Sequence, residues 1–316
     1  MLHSKIPFKA KFLKQYRTKS LYKRTFTTVV DTRPKEVNKL APYLAGLIEG
    51  DGSIYTPSGD VKTVPQIEIA FDIKDFELMK KIQYILGGGY VNIRANGNSG
   101  RLIIKKQDVL LRLVLLLNGH MRTPKIEALH RLITWFNHKN NTSIPFLGTD
   151  KEPLGNSSWL SGILEADGSF YLNWKLNKKG KPISIVYYLT ISQKQTYTRK
   201  LDSSVNASNL SYMQLIAEFF KTKVTIINRD KVNYVEKAYG VRTDKTESKI
   251  ALFDYLNKYP LYGYKYYSQS NLGILHKLIL NKEHKTIEGN KKLLEYLYLI
   301  KNQTNVQYKW DHLNKI

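Results

Sequence analysis

"YLAGLIEGDGSIY" (residues 43–55) closes an apolar stretch with two carboxylates and two glycines, and "WLSGILEADGSFY" (residues 159–171) repeats the pattern 116 positions later. In each copy small residues stand four apart, Gly46 with Gly50 and Gly162 with Ala166, so each string read as a helix has a face that a second backbone can approach closely. Two such helices packed together bring their C-terminal acids, Asp51 and Asp167, side by side. Helix stability does not call for these acids, because the macrodipole already places partial negative charge at that end. Two facing carboxylates also repel, and a hard divalent cation between them resolves the conflict. The chain has no Cys, which leaves oxygen ligands: Asp51 and Asp167, the carbonyls of Gly50 and Ala166, and water, a donor set suited to Mg²⁺. Glu49 and Glu165 lie about 200° round the helix from these acids; they are expected on the flank of the pair, pairing with Lys or capping. An Asp-Gly step also makes a simple turn, but the doubling of the whole pattern favours a site.

Fifty Lys and Arg stand against 26 Asp and Glu, a formal charge of +24 over 316 residues. Such a balance points first to nucleic acid. A membrane is not expected as a partner: the longest apolar run, "VLLRLVLLLNG", is broken by Arg112 and is too short to span a bilayer. Residues 1–38 form a basic N-terminal extension, with eight Lys or Arg and no acid in residues 1–30. That composition suits a mitochondrial presequence and a basic arm on DNA equally. Without the extension the rest still carries +16 (24 minus 8).

The signals after each motif recur in the same order, so the chain reads as two halves, 39–138 and 159–316, joined by an Asn-, Pro-, Gly- and Ser-rich linker over 139–158. In the first half the motif helix leads to the strands "SIYTP" and "VPQIEIAFDI". A helix over "DFELMKKIQYIL" follows, stopped by Gly87 to Gly89; then come the hairpin strands "YVNIRA" and "RLIIKK" and the helices "QDVLLRLVLLLNG" and "KIEALHRLITWFN". The second half gives the strands "SFYLNWKL" and "ISIVYYLTISQ", the helix "SYMQLIAEFF", the strands "KVTIINR" and "YVEKAYGVR", and the helices "KIALFDYL" and "YSQSNLGILHKLIL"; the polar stretch "KQTYTRKLDSSVNASNLS" is expected to be a loop. The plan is α+β, a tandem αββαββα repeat with antiparallel sheets.

Alternation puts Ile67, Ile69, Phe71 and Ile73 on one face of the second strand, and Ile183, Ile185, Leu189 and Ile191 on one face of its second-half counterpart. The opposite faces are polar. A half-exposed sheet need bind nothing, but on so basic a chain it is a candidate reading surface. Alternation selects Tyr55, Gln66, Glu68, Asp72, Asn92 and Arg94 in the first half and Tyr171, Asn173, Lys175, Ser184, Tyr188 and Thr190 in the second. Arg94 can pair bidentately with guanine and Gln66 with adenine. His130 and His138 share a helical spacing and are expected to be surface or semi-buried residues.

At "LAGLIEGDG" (44–52) and "LSGILEADG" (160–168) the chain resembles the LAGLIDADG homing endonucleases of the single-chain, two-motif type often encoded in organellar introns. The resemblance covers about residues 40–300. It implies a saddle of two sheets over the DNA major groove, motif helices at the domain interface, and staggered hydrolysis of both strands of a long double-stranded target by a monomer. It implies Asp51 and Asp167 as the catalytic acids, with two or more divalent ions between the motif helices. It also implies one basic residue per half near the start of a late helix, best matched by Lys125 and Lys265, and a polar residue at the end of each second strand, matched by Asp75 and Gln193. The location implied is mitochondrial. The alternative is an RNA maturase on the same fold, binding intron RNA with or without cutting DNA; a basic surface alone does not separate the two. A third is a DNA-binding module without catalysis. Two retained acids favour the nuclease.

Overall fold

The computed structural model describes residues 37–58, 63–178, 182–199, 202–301 and 308–316; the expected basic extension lies outside them up to residue 36. The first half runs α1 (Val37–Asp51), β1 (Gly52–Tyr55), β2 (Gln66–Asp72), a 3₁₀ turn (Ile73–Asp75), α2 (Phe76–Leu86), β3 (Tyr90–Ile93), β4 (Ser99–Ile104), α3 (Gln107–Leu117) and α4 (Ile126–Asn140). The second runs α5 (Trp159–Asp167), β5 (Gly168–Leu176), β6 (Pro182–Lys194), β7 (Thr196–Arg199), β8 (Asp202–Ser208), α6 (Leu210–Phe219), β9 (Thr225–Asp230), β10 (Val235–Arg242), α7 (Thr246–Lys258), α8 (Lys265–Leu280) and α9 (Ile287–Lys301). The two antiparallel four-stranded sheets share one topology, β1-β2-β4-β3 and β5-β6-β10-β9.

Local chemistry fixes the boundaries. Gly87 takes φ 71° at the end of α2, and the N–H groups of Gly87 and Gly88 return to the carbonyls of Tyr84 and Gln83, a left-handed cap that glycine adopts without a Cβ penalty. In the β3–β4 turn the Arg94 and Gly97 N–H groups bond the Ser99 and Arg94 carbonyls, with Gly97 at φ 69°. The linker is pinned by two asparagines acting as substitute backbone: Asn137 bonds both the N–H and the carbonyl of Ile144, and Asn118 bonds the Pro145 carbonyl and the Leu147 N–H. Arg122 then holds Asp150 at 2.6 Å in a buried ion pair.

Three expectations are corrected. The stretch expected as a loop after β6 contains the two-stranded β7–β8 hairpin, whose strands pair Thr196 with Ser208 and Tyr197 with Ala207. Ile183, expected in the core, is 68% exposed at the outer end of β6, where Ser184 and Val186 are exposed as well and the alternating burial begins only further along the strand. A further helix, α9, lies beyond the repeated plan and buries Leu293 and Leu297.

The core is one continuous apolar cluster drawn from both halves, and α1 and α5 cross at its centre. A Cβ on Gly46 would collide with the Trp159 carbonyl and crowd the Ile163 N–H; one on Gly162 would collide with the Tyr43 carbonyl and crowd the Leu47 N–H. These contacts are reciprocal, since 43, 46 and 47 map onto 159, 162 and 163 at the motif offset. The two helices therefore meet about a pseudo-twofold axis. Close backbone approach makes each helix apolar almost all round: one side faces its own half and the other faces its twin.

Candidate active site

The crossing delivers both motif C-termini to one place. The Gly50 backbone runs against Ala166 and the Asp167 carboxylate, so a Cβ at Gly50 would strike the Ala166 methyl and come within 2.8 Å of Asp167 Oδ2. Burial pushes the Asp167 carboxyl up to about 6, with the Asp51 charge the next cause, while the Gln193 amide, which donates to Asp167 Oδ2, draws it back. Asp51 is exposed, yet the surrounding protein still raises its carboxyl by desolvation, offset by Lys265 and Lys125. Two carboxylates raised by burial, one of them also by its neighbour's charge and the other open to solvent, make a site for a cation or a reacting phosphate.

The lysines cap the motif helices. Lys125 Nζ donates to the carbonyls of Ile48 (3.1 Å), Glu49 (2.6 Å) and Gly52 (2.9 Å). Lys265 Nζ donates to Leu164 (3.4 Å), Glu165 (2.6 Å) and Ala166 (2.9 Å). Each ammonium thus neutralises the free carbonyls and partial negative charge of a helix end that also carries an acid. Burial lowers the Lys125 amine, against the pull of Glu49, Asp167 and Asp51.

Glu49 and Glu165 do not lie on the flank paired with lysine. Both are buried and hold the turns that lead to the lysines. Glu49 accepts the N–H groups of Arg122 (2.9 Å) and Thr123 (2.6 Å), the Thr123 hydroxyl and the Trp159 indole N–H (2.5 Å). Glu165 accepts the N–H groups of Tyr262 (2.6 Å) and Gly263 (2.9 Å) and the Tyr43 hydroxyl (3.2 Å). Tyr43 and Trp159 are themselves counterparts, so each half's aromatic residue serves the other half's glutamate. Burial pushes the Glu49 carboxyl up to about 7.

Of the expected second-strand pair, only Gln193 reaches an acid. β2 ends at Asp72, and Asp75 lies in the following 3₁₀ turn, where it accepts the Tyr264 N–H at 2.6 Å. The sheet register pairs Gly52 with Ile69 and Gly168 with Ile191, which makes Phe71, not Asp75, the counterpart of Gln193.

Two carboxylates supply few protein ligands, and among the described residues no group of three or more His, Cys, Asp or Glu could hold a metal. Carboxylate oxygens completed by water and phosphate oxygens suit Mg²⁺ better than a full protein cage would. The Ala166 carbonyl already accepts the Lys265 ammonium, which weakens it as a cation ligand; Lys125 passes Gly50 and ends on Gly52.

The polar sheet faces carry the alternation set. Tyr55 bonds Thr63. Glu68 is tied by Gln66 (2.7 Å) and Arg101 (3.2 Å), and Asp72 caps the Lys74 N–H. Asn92 and Arg94 are exposed. In the second half Tyr171 stacks on Tyr188 at 4.7 Å, Arg242 lies over the Tyr188 ring at 4.5 Å, Asn173, Lys175 and Ser184 are exposed, and Thr190 is half-buried. Alternation along β4, β9 and β10 adds Arg101, Arg229 and Arg242, which the sequence reading left out; Arg229 bonds Ser192 and Glu236. His130 is half-buried against Phe146 and His138 is exposed. No described helix is long and apolar enough to cross a membrane.

A family model described as LAGLIDADG endonuclease matches residues 44–136 and 160–276. Among curated proteins the chain is similar to "Intron-encoded DNA endonuclease aI3" of Saccharomyces cerevisiae, 28% identical over 87% of this chain and 72% of that protein. It is also similar to an uncharacterised cox1 intron-2 protein of Schizosaccharomyces pombe, 24% identical over 81% of this chain and 71% of that one. Among solved structures the fold is similar to the homing endonuclease I-GzeII in complex with its DNA target, at TM-score 0.57 and 17% identity over 81% of this chain and 96% of that one. I-SmaMI bound to uncleaved DNA with calcium ions gives TM-score 0.54 and 15% identity, over 83% and 98%.

Proposed function

The chain belongs to the LAGLIDADG endonuclease family, and from that premise we propose that this DNA endonuclease makes a site-specific, staggered double-strand break in a long duplex target. The observation that carries the proposal is the convergence of Asp51 and Asp167 at the ends of two crossing helices, each helix end capped by a lysine. In each cut a water oxygen bonds to phosphorus while the bond to the 3′ oxygen breaks, leaving a 5′-phosphate and a 3′-hydroxyl. Asp51 and Asp167 would hold Mg²⁺, with the Gly50 carbonyl as a further oxygen donor, and the ion when bound would offset the charge that builds on the phosphate and favour ionised water. Lys125 and Lys265 keep the two acids at fixed height and add positive charge beside the phosphate path. Gln193 holds the Asp167 carboxylate in one orientation. The polar sheet faces form the saddle that reads base edges, with lysines and arginines on phosphates. One chain carries both acids, so the active form is a monomer, and the location that goes with an organellar intron is the mitochondrion.

The test is cleavage of a plasmid carrying a candidate intron-insertion junction, with Mg²⁺ or Ca²⁺. Asp51→Asn and Asp167→Asn are each expected to lower double-strand cutting by about a thousandfold while binding persists. Tight binding of a verified target with no Mg²⁺-dependent cutting by the parent protein would refute the proposal and favour the RNA maturase.

A further inference from the structure

Each second strand runs on into a segment that crosses to the opposite half's lysine helix. Asp75 and Tyr197 occupy the same place in the repeat, six residues beyond Ile69 and Ile191, the strand residues that face Gly52 and Gly168. Asp75 is buried, and its Oδ1 accepts the N–H of Tyr264, the residue before Lys265. With Glu165 holding Tyr262 and Gly263, three successive N–H groups at the start of α8 are gripped by two carboxylates, one from each half. The helix dipole favours both there. Gly263 is the residue this allows: a Cβ at that position would run into the carboxylate oxygens of Asp75 and Glu165 together.

The first half solves the same problem with different chemistry. The counterpart of Tyr264, counting from the lysines, is Pro124, which has no N–H to offer. A carboxylate at position 197 would find no backbone N–H at position 124 to accept. Tyr197 instead donates its hydroxyl to Glu127 Oε1 at 2.7 Å, in the first turn of α4 and two residues past Lys125.

We infer that Asp75 and Tyr197 are positioning residues that act across the halves: Asp75, on the first half, fixes Lys265, and Tyr197, on the second, fixes Lys125, so that neither lysine is set unless the halves are docked. The inference deepens the nuclease reading and rests on it. Its consequence is that both cuts are licensed by one docking event.

The experiment uses the full chain and strand-specific nicking of a verified target. Asp75→Ala is expected to slow the strand that Lys265→Ala slows, by about tenfold or more, with DNA affinity unchanged. Asp75→Asn keeps an acceptor for the Tyr264 N–H and recovers most of the rate, and Tyr197→Phe slows the opposite strand. Equal slowing of both strands by either variant overturns the inference. A second readout needs no DNA: acetic anhydride labelling of the free protein, quantified by mass spectrometry. Lys265 should label several-fold faster in Asp75→Ala and Lys125 in Tyr197→Phe, each leaving the other lysine as it was; unchanged reactivities overturn the inference even in a protein that cuts. The expected labelling pattern in a protein that cuts no target sustains the cross-half contacts and removes the nuclease reading alone. If Asp75→Ala does not fold, Tyr197→Phe decides by both measurements.

Discussion

The first half and the second present the same acid in different company. Asp167 is half-buried and receives the Gln193 amide; Asp51 is exposed, and at the corresponding strand position it has the core residue Phe71, whose ring donates nothing. Lys265 ends on the Ala166 carbonyl, one residue before its acid, whereas Lys125 reaches Gly52, one residue beyond. The backbone frame is symmetric while the side chains around it are not. Two carboxylates held by one symmetric frame can therefore differ in proton affinity.

The symmetric part of the comparison breaks most visibly at the axis. Gly46→Val and Gly162→Val each force a side chain into the other helix's backbone, and each should cost more than about 4 kcal/mol, with closely similar losses in denaturant midpoint. A large difference between them would show that the helices do not meet reciprocally. The next effect has no second-half equivalent, because the counterpart of Arg122 is the uncharged Tyr262. Asp150→Ala leaves the Arg122 guanidinium buried without its carboxylate and should cost about 3–5 kcal/mol by chemical denaturation. The smallest effect sharpens the asymmetry of the acids. In the proposed role of Asp167 a proton there competes with the cation, so cleavage is expected to fall as pH drops through about 6. The Gln193 amide favours the charged carboxylate, so Gln193→Leu should move that limb to higher pH and slow one strand by about tenfold. A limb that stays in place would detach Gln193 from the chemistry.

Much of this was legible in the residues. The doubled motif places two helices, their small-residue faces and the two acids, and alternation in β2 separates Ile67, Ile69 and Phe71 from the polar face. Helical geometry also turns Glu49 and Glu165 away from the acids, but their destinations are turns about 75 to 100 residues away in the chain, which no local pattern encodes. Gln193 and Asp75 look alike as polar residues near a strand end; only the register separates them. The β7–β8 hairpin escaped because its strands, TYTR and DSSVNAS, are mostly polar in sequence and carry no sustained apolar alternation. The exposure of Ile183 escaped for the converse reason, since alternation gives a face but not how far the cover extends.

The reciprocal crossing of α1 and α5 also bears on how such a chain can change over generations. Each motif helix is the mould for the other, so a new side chain at Gly46 is felt at Trp159 and Ile163, and one at Gly162 at Tyr43 and Leu47. A duplicated unit is free to drift apart in its strands, loops and distal helices. Along the axis the two copies can only co-evolve, and the short strings there are what still reveal the duplication.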